Sequence, residues 1–343
     1  MGVSTLVLSR RGGSLDGRTA DAVYSGVRTR ARVEPGLYTI EHRGVLMLSR
    51  RSFLVSAGAG IAAGSVMGCA IAAHHGRKVT PGIQLWTVKN EAAKDLEGTL
   101  RKVYEAGFRE IEFAGYYGRT APEFVPLLKS IGFTLVSTHA GAGDIARMGD
   151  KIIADAKSFG LEYVICSSPM PLPEKQKLTW SEQMAAINLD DWKINVDLFN
   201  DFGKKVTAAG MVFGYHNHDA EFKKYGGKSA FDYLFENTDP EHVKIQLDVG
   251  WVTVAQEDPI AILNKYKGRV VSLHVKDVAA RGADGKPPTS VALGEGVTDW
   301  KKVLGVAHAH GVKHYFYEQE EPFTRPILDS VKMSGDYLKK LEI

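Results

Sequence analysis

Residues 80–343 predict an α/β fold, a TIM (β/α)8 barrel, on three observations. Eight short runs rich in β-branched and apolar residues recur along the stretch, amphipathic segments of helical period separate them, and several of those segments stop at a glycine. The span also matches the usual size of such a barrel, about 250 residues. An open doubly wound sheet is the alternative, but no glycine-rich phosphate loop follows the first strand.

In chain order the strands are expected at Gly82–Thr87, Glu110–Phe113, Thr134–His139, Tyr163–Ser167, Val212–His216, Lys244–Asp248, Val270–His274 and His314–Glu318. Each is a run of four to six residues dominated by Ile, Val, Leu, Tyr, Phe or Thr, short enough for a strand and not for a helix. Helical period fills Leu96–Ala106, Glu123–Ile131, Gly149–Phe159, Trp192–Ala209, Ile260–Tyr266 and Trp300–His310. Gly107, Gly132, Gly160, Gly210 and Gly311 follow as left-handed stops. The prolines of Pro169–Leu189 mark a loop over the barrel mouth that could carry specificity or a dimer contact, and a homo-oligomer is left open.

With 343 residues, 44% of them apolar and 24% charged, the chain can bury a sizeable core. Two cysteines, Cys69 and Cys166, exclude a disulfide-dense scaffold and a thiolate zinc site. A metal would therefore rest on His, Asp and Glu. The net charge of +3 is concentrated at one end: residues 1–72 hold nine Arg, no Lys and four acidic residues, leaving 34 basic and 36 acidic residues beyond. Such a body offers no electrostatic footprint for phosphate backbones, so a small molecule and not nucleic acid is the expected partner.

Ahead of the barrel, Arg50 and Arg51 precede an uncharged stretch, the grammar of an export signal. Ser49-Arg50-Arg51-Ser52-Phe53-Leu54 resembles the twin-arginine signal, whose receptor exports folded proteins. The resemblance implies that export machinery as a partner and a periplasmic or otherwise exported location. A membrane anchor is the competing reading, since the uncharged run is long enough to span a bilayer. Against it, 13 of the 21 residues from Phe53 to Ala73 are Gly, Ala or Ser, which makes transfer into lipid weak. Val66-Met67-Gly68-Cys69 resembles a lipoprotein cleavage box that would leave lipid on Cys69, while Ala70-Ile71-Ala72 suits ordinary signal peptidase, and both stay open. Residues 1–46 lack a sustained period and are expected to be disordered or to reflect a start placed too early, with the signal occupying 47–73.

Active sites of such barrels lie at the C-terminal strand ends. Here those ends carry Gln84 and Trp86, Glu112, His139, His216-Asn217-His218, Asp248, His274 with Lys276-Asp277, and Glu318-Gln319. Any one polar residue could cap a helix or bond a loop. His216, Asp248, His274 and Glu318, however, come from strands five to eight in succession and could surround one point. Two imidazoles and two carboxylates without sulfur suit one divalent ion, Mn, Mg, Co or Zn. Trp86, Tyr116, Tyr117, Trp251 and Phe323 fall near strand ends, where rings could stack on a sugar or simply pack in loops. Gln84, Trp86, Tyr116, His139 and Trp251 are the candidate substrate-binding residues.

The runs Gly82-Ile83-Gln84-Leu85-Trp86, Gly214-Tyr215-His216-Asn217-His218, Leu247-Asp248-Val249-Gly250, Leu273-His274-Val275-Lys276-Asp277, Leu293-Gly294-Glu295-Gly296 and Tyr317-Glu318-Gln319 resemble the sugar phosphate isomerase/epimerase family. That family has the xylose isomerase-like TIM barrel, related to endonuclease IV, and the likeness covers roughly Pro81 to Leu341. The resemblance implies an ion held by a carboxylate after strand five, an Asp after strand six, a His after strand seven and a Glu after strand eight. Asp248, His274 and Glu318 match directly, whereas His216 stands where many relatives have Glu. The family's epimerases are thought to use two opposed glutamates, so His216 keeps a ligand and removes an acid/base carboxylate. Glu221 is a candidate substitute, although it fits the following loop better.

A divalent ion that chelates a carbonyl and a neighbouring hydroxyl stabilises the charge left when the intervening proton is removed. Glu318, His218 or Glu112 could be the base, and Lys276 could stabilise a developing oxyanion. The expected activity is thus isomerisation or epimerisation of a free sugar or keto-sugar, followed in rank by keto-sugar or cyclitol dehydration or 3-keto-glycoside lysis. Export argues against a phosphorylated substrate. Two other classes are weighed: a non-catalytic carbohydrate-binding barrel would have no reason to retain an ion, and an endonuclease should have a basic body and more metal ligands.

Overall fold

The computed structural model describes residues 78–283 and 285–343, together with the backbone of two N-terminal strands. Those strands, Thr19–Tyr24 and Val27–Arg32, pair antiparallel, with Thr19 opposite Arg32 and Tyr24 opposite Val27, in a stretch whose sequence shows no sustained strand period. The remainder of 1–46, the export signal at 47–73 and the processing alternatives at Cys69 lie outside the described residues.

Residues 78–343 form the predicted barrel. Its strands are β1 (Pro81–Gln84), β2 (Glu110–Phe113), β3 (Thr134–Gly141), β4 (Tyr163–Ser168), β5 (Val212–His216), β6 (Lys244–Asp248), β7 (Val270–Val275) and β8 (His314–Tyr317). Every neighbouring pair is parallel and the ring is closed in sequence order, with Ile83 of β1 facing both Tyr317 of β8 and Ile111 of β2. The principal helices are α1 (Leu96–Ala106), α2 (Ala121–Ile131), α3 (Ala142–Phe159), α4 (Leu189–Ala208), α5 (Ala230–Asn237), α6 (Pro259–Lys265), α7 (Trp300–Ala309) and α8 (Ile327–Lys340).

Alternation along the strands sends one set of side chains outward, where they meet the apolar faces of the helices, and the other set inward. The larger core is the outer one and includes Ile83, Ile111, Phe213, Leu247, Leu273 and Tyr317. Inside the barrel a small cluster of Val136, Tyr163, Ile165 and Phe316 fills the lower part, leaving the upper part to polar residues. Gly82 is needed there, since a Cβ would stand 2.5 Å from the Phe316 ring.

Departures from the expected boundaries have local causes. β1 stops at Gln84 and not at Thr87 because the Gln84 side chain accepts the Trp86 N–H (3.0 Å) and starts a 3-10 turn over Leu85–Val88. α3 begins at Ala142 but breaks at Met148 (φ −142°, ψ 31°), so only its second half carries the period expected from Gly149. α4 starts at Leu189, earlier than Trp192, because Asn188 and Asp191 form a capping box.

The loop after β4 reaches the mouth as expected and contains a helix, Trp180–Ala186. It is pinned to α4: Leu172 N–H donates to Asp191 (2.7 Å) and Met170 N–H to Asn195 (2.8 Å).

Candidate metal centre

Strand register assembles the site. Gln246 of β6 lies beside His216 of β5, and Asp248 lies beside His274 of β7. Because side chains repeat every two residues, Gln246 and Asp248 share the inner face of β6. Asp248 also caps the helix Val249–Val254, accepting the Trp251 N–H at 2.7 Å, and its own N–H donates to Asn217 at 3.0 Å.

His216, Asp248, His274 and Glu318 are all buried, and one ligand atom from each lies within 4.8 Å of the others. His274 Nδ1 is 2.8 Å from Glu318 Oε2 and 3.6 Å from Asp248 Oδ2, while His216 Nε2 is 4.0 Å from that same Asp248 oxygen. Asp248 Oδ2 is buried and lacks a well-aligned hydrogen bond among the described residues, although Lys276 Nζ stands 3.1 Å away. A buried carboxylate oxygen left in this state is what a cation would complete. The donor set of two imidazoles and two carboxylates therefore fits a metal ion.

Beneath the quartet, Glu112 and Gln246 hold the imidazoles. Glu112 Oε1 faces His274 Nε2 at 2.6 Å, His139 Nε2 at 3.0 Å and the Gln84 amide at 2.9 Å. Its other oxygen accepts from Ser137 (2.5 Å) and from the Gln246 amide (2.7 Å). Gln246 Oε1 in turn lies 3.1 Å from His216 Nδ1 and 2.8 Å from His139 Nε2. These acceptors put hydrogen on His274 Nε2 and His216 Nδ1, leaving His274 Nδ1 and His216 Nε2 to face the centre. That is how outer partners orient metal-binding histidines.

The charges follow. Burial alone would depress His274, but the Glu318 and Glu112 carboxylates hold its pKa well above the usual imidazole range. Burial opposes ionisation of Glu112, yet His139 and His274 keep it well below the carboxylate range. His216 is driven well down, first by burial and then by His274 and His218, so it is neutral. Lys276 is raised despite burial by Asp248, Glu318 and Glu320 and stays an ammonium. Holding a cation at His274 Nδ1 requires the proton there to leave.

Above the quartet opens a cleft of about 720 Å³ walled by Trp86, His139, Trp180, His218, Trp251 and Glu320. His218 lies between two indoles, with ring centroids 5.5 Å from Trp180 and 5.6 Å from Trp251, and its Nδ1 is buried without a partner among the described residues. Burial and then the Lys276 charge push its pKa down to about 4, so the ring is neutral at neutral pH.

Several expected roles are corrected by this geometry. Gln84 is fully buried beneath the site, bonded to Glu112, and does not line the cleft. Tyr116 stacks on Phe159 of α3 at 4.1 Å and packs between helices instead of facing substrate. Tyr117 and Phe323 likewise pack against the core. Glu112 has five donors on its two oxygens and is an anchor, not an available base. Lys276 sets its ammonium among the carboxylates of Asp248, Glu318 and Glu320 (3.1, 3.0 and 2.9 Å) and donates a hydrogen bond to Glu320, so its charge is spent on three anions and not held for an oxyanion. Glu221 is buried under the loop, bonded to the Tyr215 hydroxyl (2.5 Å) and the His218 N–H (3.0 Å). Trp86, His139, Trp251 and His218 do reach the cleft. Sequence reasoning missed Gln246 and Glu320. Strand alternation from Asp248 points to the first, and no local signal marks the second.

Comparison with known proteins agrees with this architecture. The model of the xylose isomerase-like TIM barrel family matches residues 100–340. An inosose dehydratase of Geobacillus thermodenitrificans is 28% identical over 144 residues, 38% of this chain and 48% of that protein, so the match spans about half the relative's length. A solved sugar phosphate isomerase/epimerase from Parabacteroides distasonis superposes with a TM-score of 0.63 at 26% identity, over 77% of this chain and 98% of that one. A xylose isomerase-like TIM barrel protein of Mycobacterium smegmatis, solved in complex with magnesium, shares the fold at 16% identity (TM-score 0.55, 77% and 96% covered). With the closed parallel ring, the donors at its C-terminal rim and a family match across most of the barrel, this chain belongs to the xylose isomerase-like TIM barrel family.

Proposed function

We propose that the barrel is a divalent-metal-dependent enzyme that removes the proton beside the carbonyl of a keto-sugar or keto-cyclitol and expels the substituent on the next carbon, as a dehydratase or lyase. The observation that carries this reading is His216. It puts a neutral imidazole, tied through Nδ1 to Gln246, where an opposed pair of glutamates would need its second carboxylate.

His216, Asp248, His274 and Glu318 would hold the ion, as Mn, Mg, Co or Zn, and when bound it would act as a Lewis acid on a chelated carbonyl oxygen. His218 supplies the base: it is a neutral imidazole in the cleft wall, and its backbone N–H is fixed by Glu221. Glu320, in the wall of the same cleft, has its carboxyl raised by burial against the pull of Lys276 and delivers a proton to the departing oxygen. Trp86, Trp180 and Trp251 offer faces for the sugar ring and exclude water. The match to inosose dehydratases supports elimination. Isomerisation or epimerisation is the second reading, favoured by the Parabacteroides neighbour.

The test is incubation of Mn-loaded protein with a keto-cyclitol and a 3-keto-glycoside in D2O, followed by NMR and ultraviolet absorbance. Elimination releases the substituent and yields a conjugated enone. A product that keeps all its heavy atoms and gains deuterium beside the carbonyl replaces elimination with epimerisation, and inert substrates with the ion retained overturn both. We also propose export through the twin-arginine route, which predicts a shortened protein in the periplasmic fraction that disappears when Arg50 and Arg51 are changed to Lys.

A further inference from the structure

A second cavity of about 220 Å³ lies behind the cleft and shares Trp251 and Glu320 with it. One wall is Trp251 and Val254 of the helix Val249–Val254, and the other is Pro287, Pro288 and Thr289. The second wall is a built one. Asp277–Val278 and Ser290–Val291 pair antiparallel, Ala279 N–H donates to Thr289 O (2.9 Å), and Glu320 N–H donates to Ser290 Oγ (3.3 Å).

The partition between the two spaces is polar. Lys276 is buried there, its ammonium spanning Asp248 and Glu318 on the metal side and Glu320 on the other. Its stem passes over Gly250, where a Cβ would meet Lys276 Cγ at 2.7 Å, so the helix can approach only because that side chain is missing. The Trp251 ring stands beside Lys276, with the ammonium 4.9 Å from the ring centroid.

We propose that this second chamber seats the leaving group: it takes a single ring joined through oxygen to the keto-sugar held over the metal centre. The inference rests on the elimination reading and gives it a substrate class. At about 220 Å³ the cavity is less than a third of the 720 Å³ cleft beside it, a space scaled to a single ring. Its apolar lining of Trp251, Val254, Val278 and three prolines suits the face of such a ring, and Glu320, which both spaces share, stands where the linking oxygen would cross. In the reaction the base takes the proton next to the carbonyl, that C–H pair becomes the new C=C bond, and the bond from the β carbon to the linking oxygen breaks with its electrons on oxygen. The oxygen takes up a proton, so one glycoside yields one enone and one ring alcohol.

Calorimetric binding of phenyl β-glucoside and of a β-linked glucose disaccharide, each against methyl β-glucoside, tests the chamber without turnover. At least one ring-bearing ligand should bind about tenfold tighter than the methyl one. That preference should collapse in Val254→Phe and in Thr289→Trp, the second at an exposed position where folding is not at risk. The better of the two ring ligands identifies an aromatic or a sugar ring. Equal affinities in the wild type, or a preference untouched by both substitutions, overturn the chamber. If the preference is present but the oxidised glycosides are inert, the elimination reading fails and the chamber stands. Turnover without a ring preference has the opposite meaning.

Discussion

Replacing Gln246 with Leu should loosen the metal centre although Gln246 is not a ligand. The amide oxygen accepts from His216 Nδ1 (3.1 Å) and lies 2.8 Å from His139 Nε2, and the amide nitrogen donates to Glu112 (2.7 Å) and Ser272 (3.1 Å). Leucine removes all four. His216 then loses the acceptor that keeps hydrogen on Nδ1, and Nε2 is no longer held as the lone pair facing the centre. Loss of such an outer partner weakens metal binding roughly 10- to 100-fold, about 1.4–2.7 kcal/mol. Leaving buried donors unpaired should also lower stability, by about 1–3 kcal/mol for each group. Co²⁺ and Zn²⁺ affinities should therefore be measured by competition with a chromophoric chelator, well below the melting temperature. Gln246→Glu is the companion: packed against Glu112 it takes up a proton and keeps an oxygen toward His216, so it should retain most of the affinity. A folded Gln246→Leu protein that binds both ions as the wild type does would refute the argument.

Other expectations follow from single features. Asp248→Ala should reduce retained Mn, Co or Zn from about one equivalent per chain to near none, read by elemental analysis, and cost about 1 kcal/mol through loss of the cap on Trp251 N–H. Burial raises the Glu221 carboxyl to about 7 against an ordinary 4.5, so the folded state holds the proton more tightly than the unfolded one. Its contribution is complete below pH 4.5 and lost as pH climbs through 7, about 3 kcal/mol at ~1.36 kcal/mol per unit. Glu221→Gln should therefore gain stability relative to wild type between denaturant titrations at low and neutral pH, and a pH-independent difference contradicts this. Gly250→Ala should cost about 1–3 kcal/mol, because its Cβ would meet the Lys276 stem at 2.7 Å and the Lys276 carbonyl at 2.8 Å; an unchanged denaturation midpoint would show that the stem yields freely.

Much of the barrel is legible because its signals are local. Runs such as Lys244–Asp248 and Val270–His274 declare strands by composition, and glycines such as Gly107 and Gly160 declare helix ends by the positive φ they adopt (112° and 71°). The metal quartet is legible for a related reason: polar residues that interrupt apolar runs at strand ends converge once the ring closes. Direction and saturation are not legible. Tyr116 follows β2 as a sugar-facing ring would, yet it turns onto Phe159, and only the packing of α2 and α3 decides that. Lys276 and Glu112 look available in sequence because the partners that consume them, Glu320 and Gln246, come from distant segments. The α5 and α8 helices escaped the periodic reading, as did the first half of α3, where the break at Met148 interrupts the phase.

The ring closes when β8 pairs with β1, and Glu318 follows directly on β8. The final donor and the final seam thus arrive together, after more than two hundred residues of barrel have been made. A nascent chain stalled short of that seam has three donors on an open, curling sheet and no enclosed place for an ion. An ion would therefore meet its full set of donors only once that last seam is closed, so loading would report on whether the ring was finished.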